Sequence, residues 1–317
     1  MAGGSALRGV VLAGLLLLSA CGREAPGPPP GPFLMVLGVA QDGGYPQAAC
    51  RRECCERARA AAANRRHVAA LAVVDPAAGD RFLFDATPDL PEQLELLDRA
   101  APVAGGHGIA GILLTHAHIG HYLGLAQLGR EVMGTWDLPV YAMPRMRQFL
   151  RSSGPWDLLV RLRNIEIRDL SAGVELSLTP LVRVTPVLVP HRDEYSETVG
   201  FRISGPERTV LYVPDIDKWD RWDIPLRKVL AGVDVAYLDG TFFDAGEVQG
   251  RDASEIPHPL IRETIERLNA LPPEERAKVH FIHMNHTNPA LDPGSEARAR
   301  ILEGGFRVAE EGERVDL

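Results

Sequence analysis

Aromatic side chains make up only 6% of the 317 residues, so Leu, Val, Ile and Ala must fill the core. Cysteine is scarcer still, and four in the whole chain are too few for a disulfide-scaffolded fold. Basic residues are in deficit, 34 against 42 acidic, and the net charge of −8 leaves no broad cationic face for a nucleic-acid backbone. The apolar run from Val10 to Ala20 covers 11 residues, well short of the ~20 helical residues that cross a bilayer core. No internal repeat occurs at the periods of solenoids, which excludes an array. What the chain has in quantity is 31 glycines and 25 prolines, signs of many turns rather than a helical bundle. Its hydrophobic fraction of 45% against 24% charged residues excludes disorder.

Residues 1–20 carry one charge, Arg8, ahead of the Val10–Ala20 run, and read as a secretory signal. The run ends Leu18-Ser19-Ala20-Cys21, which resembles the bacterial lipobox. The resemblance implies lipidation of Cys21 as the first mature residue, and Gly22 after it resembles outer-membrane sorting. Residues 21–32 are rich in Pro and Gly and suit an extended tether. The expected protein is an exported lipoprotein facing the periplasm, its domain held at the membrane by acyl chains. Removal of residues 1–20 takes away Arg8 and makes the net charge one unit more negative than −8, so the domain would not itself adhere to anionic lipid.

From residue 33 to 317 the pattern is continuous. Apolar strand-like runs lie at Phe33–Val39, Val68–Val74, Arg81–Phe84, Ile109–Thr115, Val182–Val189, Thr209–Val213, Val233–Leu238 and Val279–Ile282. Helical periodicity lies between them at Glu53–Arg66, Pro91–Arg99, Leu123–Met133, Arg145–Ser152, Pro259–Leu271 and Ser295–Glu303. Strands interleaved with helices predict one α/β domain. Several of the strands end in His or Asp, at the position where such folds place their chemistry.

The densest chemistry is Thr115-His116-Ala117-His118-Ile119-Gly120-His121, three imidazoles just past a buried strand. Core packing asks for no such density, and neutral imidazole is the commonest ligand of zinc-like metals. His116 and His118 can point the same way from an extended segment, and His121 can join them from the first turn of a following helix. Further strand-end candidates are His191, Asp215 and His283.

This segment resembles the metallo-β-lactamase superfamily, whose usual motif is His-x-His-x-Asp-His. The resemblance implies a four-layer αββα sandwich. It assigns His116, His118 and His191 to a first metal, Asp215 to a bridge, and His121 with His283 to a second. Gly120 stands where the superfamily has its aspartate, so a second metal would lose one carboxylate ligand and the general-base candidate often assigned to that position. Asp42, Asp85, Asp193 and Asp217 are candidates to replace it. A mononuclear three-histidine site with an open position is still enough to bring the pKa of a bound water to roughly 7.

Five further segments, Gly38–Gln47, Phe84–Asp89, Pro190–Tyr195, Leu238–Phe242 and Phe281–Asn285, resemble the pyrroloquinoline quinone biosynthesis protein B family. Members of that family commonly lack the first two histidines and keep the Asp-His, the reverse of this chain. The expectation is therefore a relative with its own small-molecule substrate.

With Cys21 lipidated, Cys50, Cys54 and Cys55 form an odd set that one disulfide cannot satisfy. They resemble a three-cysteine cluster of phosphodiesterases in the superfamily, which implies a structural zinc completed by His286. One disulfide from Cys50 with a free thiol, or three reduced thiols, stay open as alternatives. Asp85 and Asp239, at strand ends, either orient a metal-bound imidazole or cap a turn. Asp193 is placed near the centre as a supporting or substrate-contacting group, and Asn285 and Asn288, flanking the last motif, either bind substrate or hold the loop through side-chain to backbone bonds. His67, His107, His258 and His280 stand alone and read as surface or helix-edge residues.

The resulting expectation is a membrane-tethered, metal-dependent hydrolase of an ester, phosphodiester or related bond, with Asp215 orienting or deprotonating water. Zinc is expected, one or two ions in the active site and one structural, with Fe or Mn also able to occupy the active site. Iron-dependent oxidation related to quinone cofactor synthesis, and a non-catalytic metal-binding lipoprotein, are the competing readings.

Overall fold

Alternation inside the apolar runs sets the layers of the molecule. In β1 (Phe33–Gly38), Leu34 and Val36 enter the central core while Phe33, Met35 and Leu37 enter a second core on the opposite face. The same split recurs in β2 (Ala70–Asp75), with Leu71 and Val73 on one side and Ala70, Ala72 and Val74 on the other. A strand apolar on both faces is buried on both, which is why these runs read as continuous rather than alternating. Each fully buried Leu, Val or Phe stabilises the fold by roughly 1.5–3 kcal/mol.

The protein is described by a computed structural model covering residues 1–3, 31–103, 108–247 and 256–317. Cys21, most of the signal and tether segments, and His107 lie outside the described residues. Among the described residues no helix is long and apolar enough to cross a membrane.

The first sheet adds β3 (Asp80–Phe84), β4 (Gly111–Leu113), β5 (Leu138–Ala142) and β6 (Ile165–Asp169). The second contains β7 (Leu176–Ser177), β8 (Arg183–Leu188), β9 (Val199–Ser204), β10 (Thr209–Val213), β11 (Val235–Asp239), β12 (Val279–Ile282) and β13 (Arg307–Val308). The last strand, β14 (Arg314–Asp316), returns to pair with β1. The orders are β14-β1-β2-β3-β4-β5-β6 and β13-β12-β11-β10-β9-β8-β7. Helices α1 (Glu53–Ala60), α2 (Leu90–Ala100), α3 (Ile119–Tyr122), α4 (Pro144–Ser152) and α5 (Trp156–Arg161) follow strands of the first sheet; α6 (Leu226–Leu230), α7 (Ile261–Leu268), α8 (Pro273–Arg276) and α9 (Glu296–Glu303) follow strands of the second. Two mixed sheets flanked by helices make the expected four-layer αββα sandwich.

This topology gathers the candidate residues. Strands β3 and β4 are parallel, as are β10, β11 and β12, so Asp85, His116, Asp215, Asp239 and His283 emerge at shared sheet edges. Strand β8 is antiparallel to β9, and β9 to β10, so β8 also runs with β10 and delivers His191 to the same edge.

Two helical expectations are shortened. The Leu123–Met133 pattern forms a 3-10 turn over Leu123–Leu128 behind the single turn of α3. The close approach of Gly124 accounts for this: a Cβ there would lie 2.1 Å from the Thr87 carbonyl oxygen, and its N–H donates to Ala86 O at 2.9 Å. Helix α1 stops at Ala60 rather than Arg66, because Arg66 is drawn into a bridge with Tyr45. Short or edge strands such as β6, whose burial alternates and whose exposed positions are charged, are invisible to a search for apolar runs.

Candidate metal centre

Extended backbone carries Thr115–His118 away from β4, and His118 caps the short helix that holds His121. Asp85, buried just past β3 with φ +71, fixes this segment: its carboxylate accepts from Thr115 N at 2.8 Å and from Thr115 Oγ1 at 2.9 Å. It also meets His121 Nδ1 at 2.7 Å, which turns Nε2 of that ring toward His283. A left-handed backbone at a non-glycine residue is strain the surrounding contacts must hold, and it recurs at His283, φ +63.

Four donor atoms face one another in the first cluster. His118 Nδ1 lies 2.9 Å from His116 Nε2 and 3.3 Å from His191 Nε2. Asp215 Oδ2 lies 3.2 Å from His191 Nε2, 3.4 Å from His116 Nε2 and 3.9 Å from His118 Nδ1. Ligands about 2.05 Å from a tetrahedral ion sit about 3.3 Å from one another, so these separations bracket what zinc requires. His191 is oriented by Asp217, whose Oδ1 meets His191 Nδ1 at 3.1 Å while Arg221 Nη1 donates to its Oδ2 at 2.6 Å. Glu194 Oε2 meets the outer nitrogen of His118 at 3.1 Å.

A second cluster adjoins it. His121 Nε2 and His283 Nε2 are 3.3 Å apart, and Asp42 Oδ1 is 3.4 Å from the former and 3.8 Å from the latter. Asp215 Oδ2 reaches this pair as well, 3.9 Å from His121 Nε2. His283 is oriented by Thr241, whose hydroxyl lies 3.1 Å from its Nδ1 and whose N–H donates to Asp239 Oδ1.

Charge follows the geometry. Burial opposes ionisation of Asp215, yet His191, His258 and His283 hold its carboxyl well below the usual range. Burial opposes Asp42 too, and its contacts with His121 and His283 prevail in the same direction. His116, fully buried and beside His121, is pushed well below the ordinary imidazole value, so it stays neutral and ready to donate its lone pair.

The third part of the centre is a departure from expectation. His258 is not a surface residue: it is buried, with Nδ1 2.9 Å from Asp239 Oδ2 and 3.1 Å from Asp215 Oδ1. Although burial disfavours the cation, Asp239 and Asp215 raise its pKa well above the ordinary value. A lone histidine after no strand carries no sequence signal; only the fold brings it to the strand ends. Asp239 thus sits behind His258 and Thr241, while Ile216 N donates to its Oδ2 at 3.1 Å. His67 and His280 are away from the centre, paired with Glu311 and Glu313. Asp193 is turned into its own loop, accepting from Thr198 Oγ1 at 2.9 Å, and belongs to none of the clusters. Asn285 is spent on the loop, donating to Gln41 Oε1 and accepting from Thr287. Asn288 holds the same loop, donating to Gly240 O and accepting from Ala290 N.

Away from the centre, Cys50, Cys54, Cys55 and His286 converge, with one donor atom of each within 4.8 Å of the others. All three thiols are free. Burial pushes the Cys55 thiol up to about 12, and Cys50 is lowered against burial by the Arg52 backbone N–H and its neighbouring thiols. His286 Nδ1 is buried without a hydrogen-bond partner among the described residues, as is Asp42 Oδ1. Buried acceptors inside sets of thiol or imidazole donors fit metal ligation.

Residues 80–284 match the family described as beta-lactamase superfamily domain. The chain is 29% identical over 312 residues to coenzyme PQQ synthesis protein B of Methylococcus capsulatus, covering 90% of this chain and all of that protein. The corresponding protein of Pseudomonas fluorescens strain Pf0-1 is 29% identical over 316 residues, with the same coverage. Among solved structures, Zn(2+)-bound PqqB from Methylobacterium extorquens superposes with a TM-score of 0.76 at 24% identity, covering 90% of this chain and 100% of that one. A diphosphatase from the PhnP family superposes with a TM-score of 0.61 at 21% identity, covering 90% and 96%.

Proposed function

The chain belongs to the beta-lactamase superfamily domain family, and from that premise we propose that it is a metal-dependent hydrolase of an ester, phosphodiester or related bond, exported and held at a membrane through Cys21. The observation that carries the reading is the first cluster, four donors from three separate segments with one donor atom of each within 4.8 Å of the others. His116, His118, His191 and Asp215 would hold one ion, and Cys50, Cys54, Cys55 and His286 a structural zinc. A zinc-like ion in the first cluster supplies a Lewis acid and a water acidic enough to ionise near neutral pH.

The remaining work falls to the protein. Asp85, Asp217 and Thr241 fix ring orientations, so the donors need no reorganisation. Asp215, held ionised among imidazoles, orients the attacking water by accepting its hydrogen bond. His258, kept as the cation by Asp215 and Asp239, is the proton donor to the departing oxygen.

A role in quinone cofactor synthesis is the second reading, supported by the 29% identity to coenzyme PQQ synthesis protein B over 90% of the chain, and iron-dependent oxidation is the chemistry proposed for it. Hydrolysis of activated carboxylic esters and phosphodiesters by the zinc-loaded chain separates the two. The hydrolase reading expects turnover that His116→Ala removes; a metal-loaded chain inert toward every such bond contradicts it.

The membrane attachment rests on Leu18-Ser19-Ala20-Cys21 and the proline-rich stretch behind it. Incorporation of labelled palmitate into the wild type but not into Cys21→Ser is expected. Equal labelling of the two, or none in either, would remove the anchor from the account.

A further inference from the structure

We infer that Asp42 is the carboxylate ligand of a second active-site metal, supplied from the loop after β1 in place of the side chain that Gly120 lacks. The inference rests on the metal-dependent reading above and deepens it.

Steric evidence comes first. A Cβ built at Gly120 would fall 2.1 Å from Asp42 Oδ1, 2.8 Å from Asp42 Cγ and 2.7 Å from Asp42 Cα. The last contact is with backbone, so no side-chain rotation relieves it. Gly120 and Asp42 are therefore alternatives: the space that any side chain at 120 would use is filled by the Asp42 carboxylate and the chain that carries it. Glycine at 120 is a vacancy made for a carboxylate arriving from elsewhere.

Position supports the same conclusion. The incoming oxygen faces His121 Nε2 at 3.4 Å and His283 Nε2 at 3.8 Å, and those rings face each other at 3.3 Å. Both rings have their other nitrogen committed, His121 Nδ1 to Asp85 and His283 Nδ1 to Thr241, so the three free donor atoms point at one space. Asp42 Oδ1 is buried and has no hydrogen-bond partner among the described residues, a costly arrangement for a carboxylate unless a cation completes it. Asp215 Oδ2, 3.9 Å from His121 Nε2 and 3.4 Å from His116 Nε2, lies between the two clusters and can bridge them.

The loop itself is held in place. Gln41 N donates to Met284 O at 2.8 Å and Asn285 Nδ2 to Gln41 Oε1 at 2.5 Å, tying Asp42 to the segment that carries His283. Ala40 bridges both Val68 and Met284, so the first sheet and the second jointly fix its start. Gly44, at φ +67, lets the loop turn away immediately afterwards. A ligand on so anchored a loop is preorganised as a helical one would be.

The test counts zinc bound to the purified full chain and titrates its affinity for Zn2+ against a chromogenic chelator. Wild type is expected to hold three equivalents, of which one disappears in a Cys50→Ser/Cys55→Ser reference. Asp42→Asn should lose one of the other two, or bind it more than tenfold more weakly, with unchanged circular dichroism. Should Asp42→Asn misfold, Asp42→Ser, which removes the carboxylate and adds no bulk, gives the same readout and should lose the same equivalent. A folded Asp42→Asn or Asp42→Ser chain with wild-type stoichiometry and affinity overturns the inference. Wild type that holds only the structural ion would instead sink the metal-dependent reading as a whole.

Discussion

His258 shows what a single residue contributes at this centre and why it escapes a reading of the sequence. It stands alone in the chain, yet its Nδ1 meets Asp239 and Asp215 at 2.9 and 3.1 Å. As proton donor to the leaving group, it should be dispensable for metal and essential for turnover. His258→Gln is expected to lower kcat by about 10²–10⁴-fold with little change in KM or zinc content, and to steepen the dependence of rate on leaving-group pKa. An unchanged leaving-group dependence would mean the residue only supports the fold. His116, His118 and His121 were legible because three imidazoles in six residues have no packing explanation, and His191, Asp215 and His283 because each follows a strand-like run. Asp42 was legible only as one of four candidates, since its place opposite Gly120 depends on the path of a loop. Asp193, equally plausible by type, is held by Thr198 instead.

At the scale of elements, parallel strands carry the chemistry and the turns beside them set its precision. Runs apolar on both faces identified β1, β2, β10 and β12 almost to the residue, because double burial leaves no other composition. The Leu123–Met133 segment misled because its helical periodicity is overridden by the approach of Gly124 to Thr87. The 3-10 turn Ala245–Glu247, between β11 and β12, has its own pH sensitivity. Glu247 accepts from Phe243 N at 2.6 Å and Asp244 N at 2.9 Å, but burial outweighs those bonds and raises its pKa to about 7. Its folded-state value lies above the unfolded one, so its contribution is complete below about pH 4.5 and lost as pH rises through about 7. Glu247→Gln should flatten that part of the stability profile and stabilise the chain at pH 8 by on the order of 2 kcal/mol, read by urea unfolding at pH 5 and pH 8. Parallel profiles for the two proteins would show that Glu247 does not titrate in this window.

For the whole molecule, two sheets meeting along one core bring donors from residues 42 to 283 into adjoining clusters, and no local segment could do so alone. The layered fold was legible through the family resemblance and the interleaved strands and helices. The pairing of β14 with β1 was not, because three residues at the chain end leave no pattern. The net charge of −8 opposes long-range attraction of a nucleic-acid backbone, and a small-molecule substrate is the partner proposed here. The most direct test of the account is turnover of activated ester and phosphodiester substrates by the zinc-loaded chain in the strict absence of oxygen, beside His116→Ala. The account predicts hydrolysis that proceeds without oxygen and falls at least about 10³-fold in the variant. Turnover that requires oxygen, or a variant as active as the wild type, would contradict it.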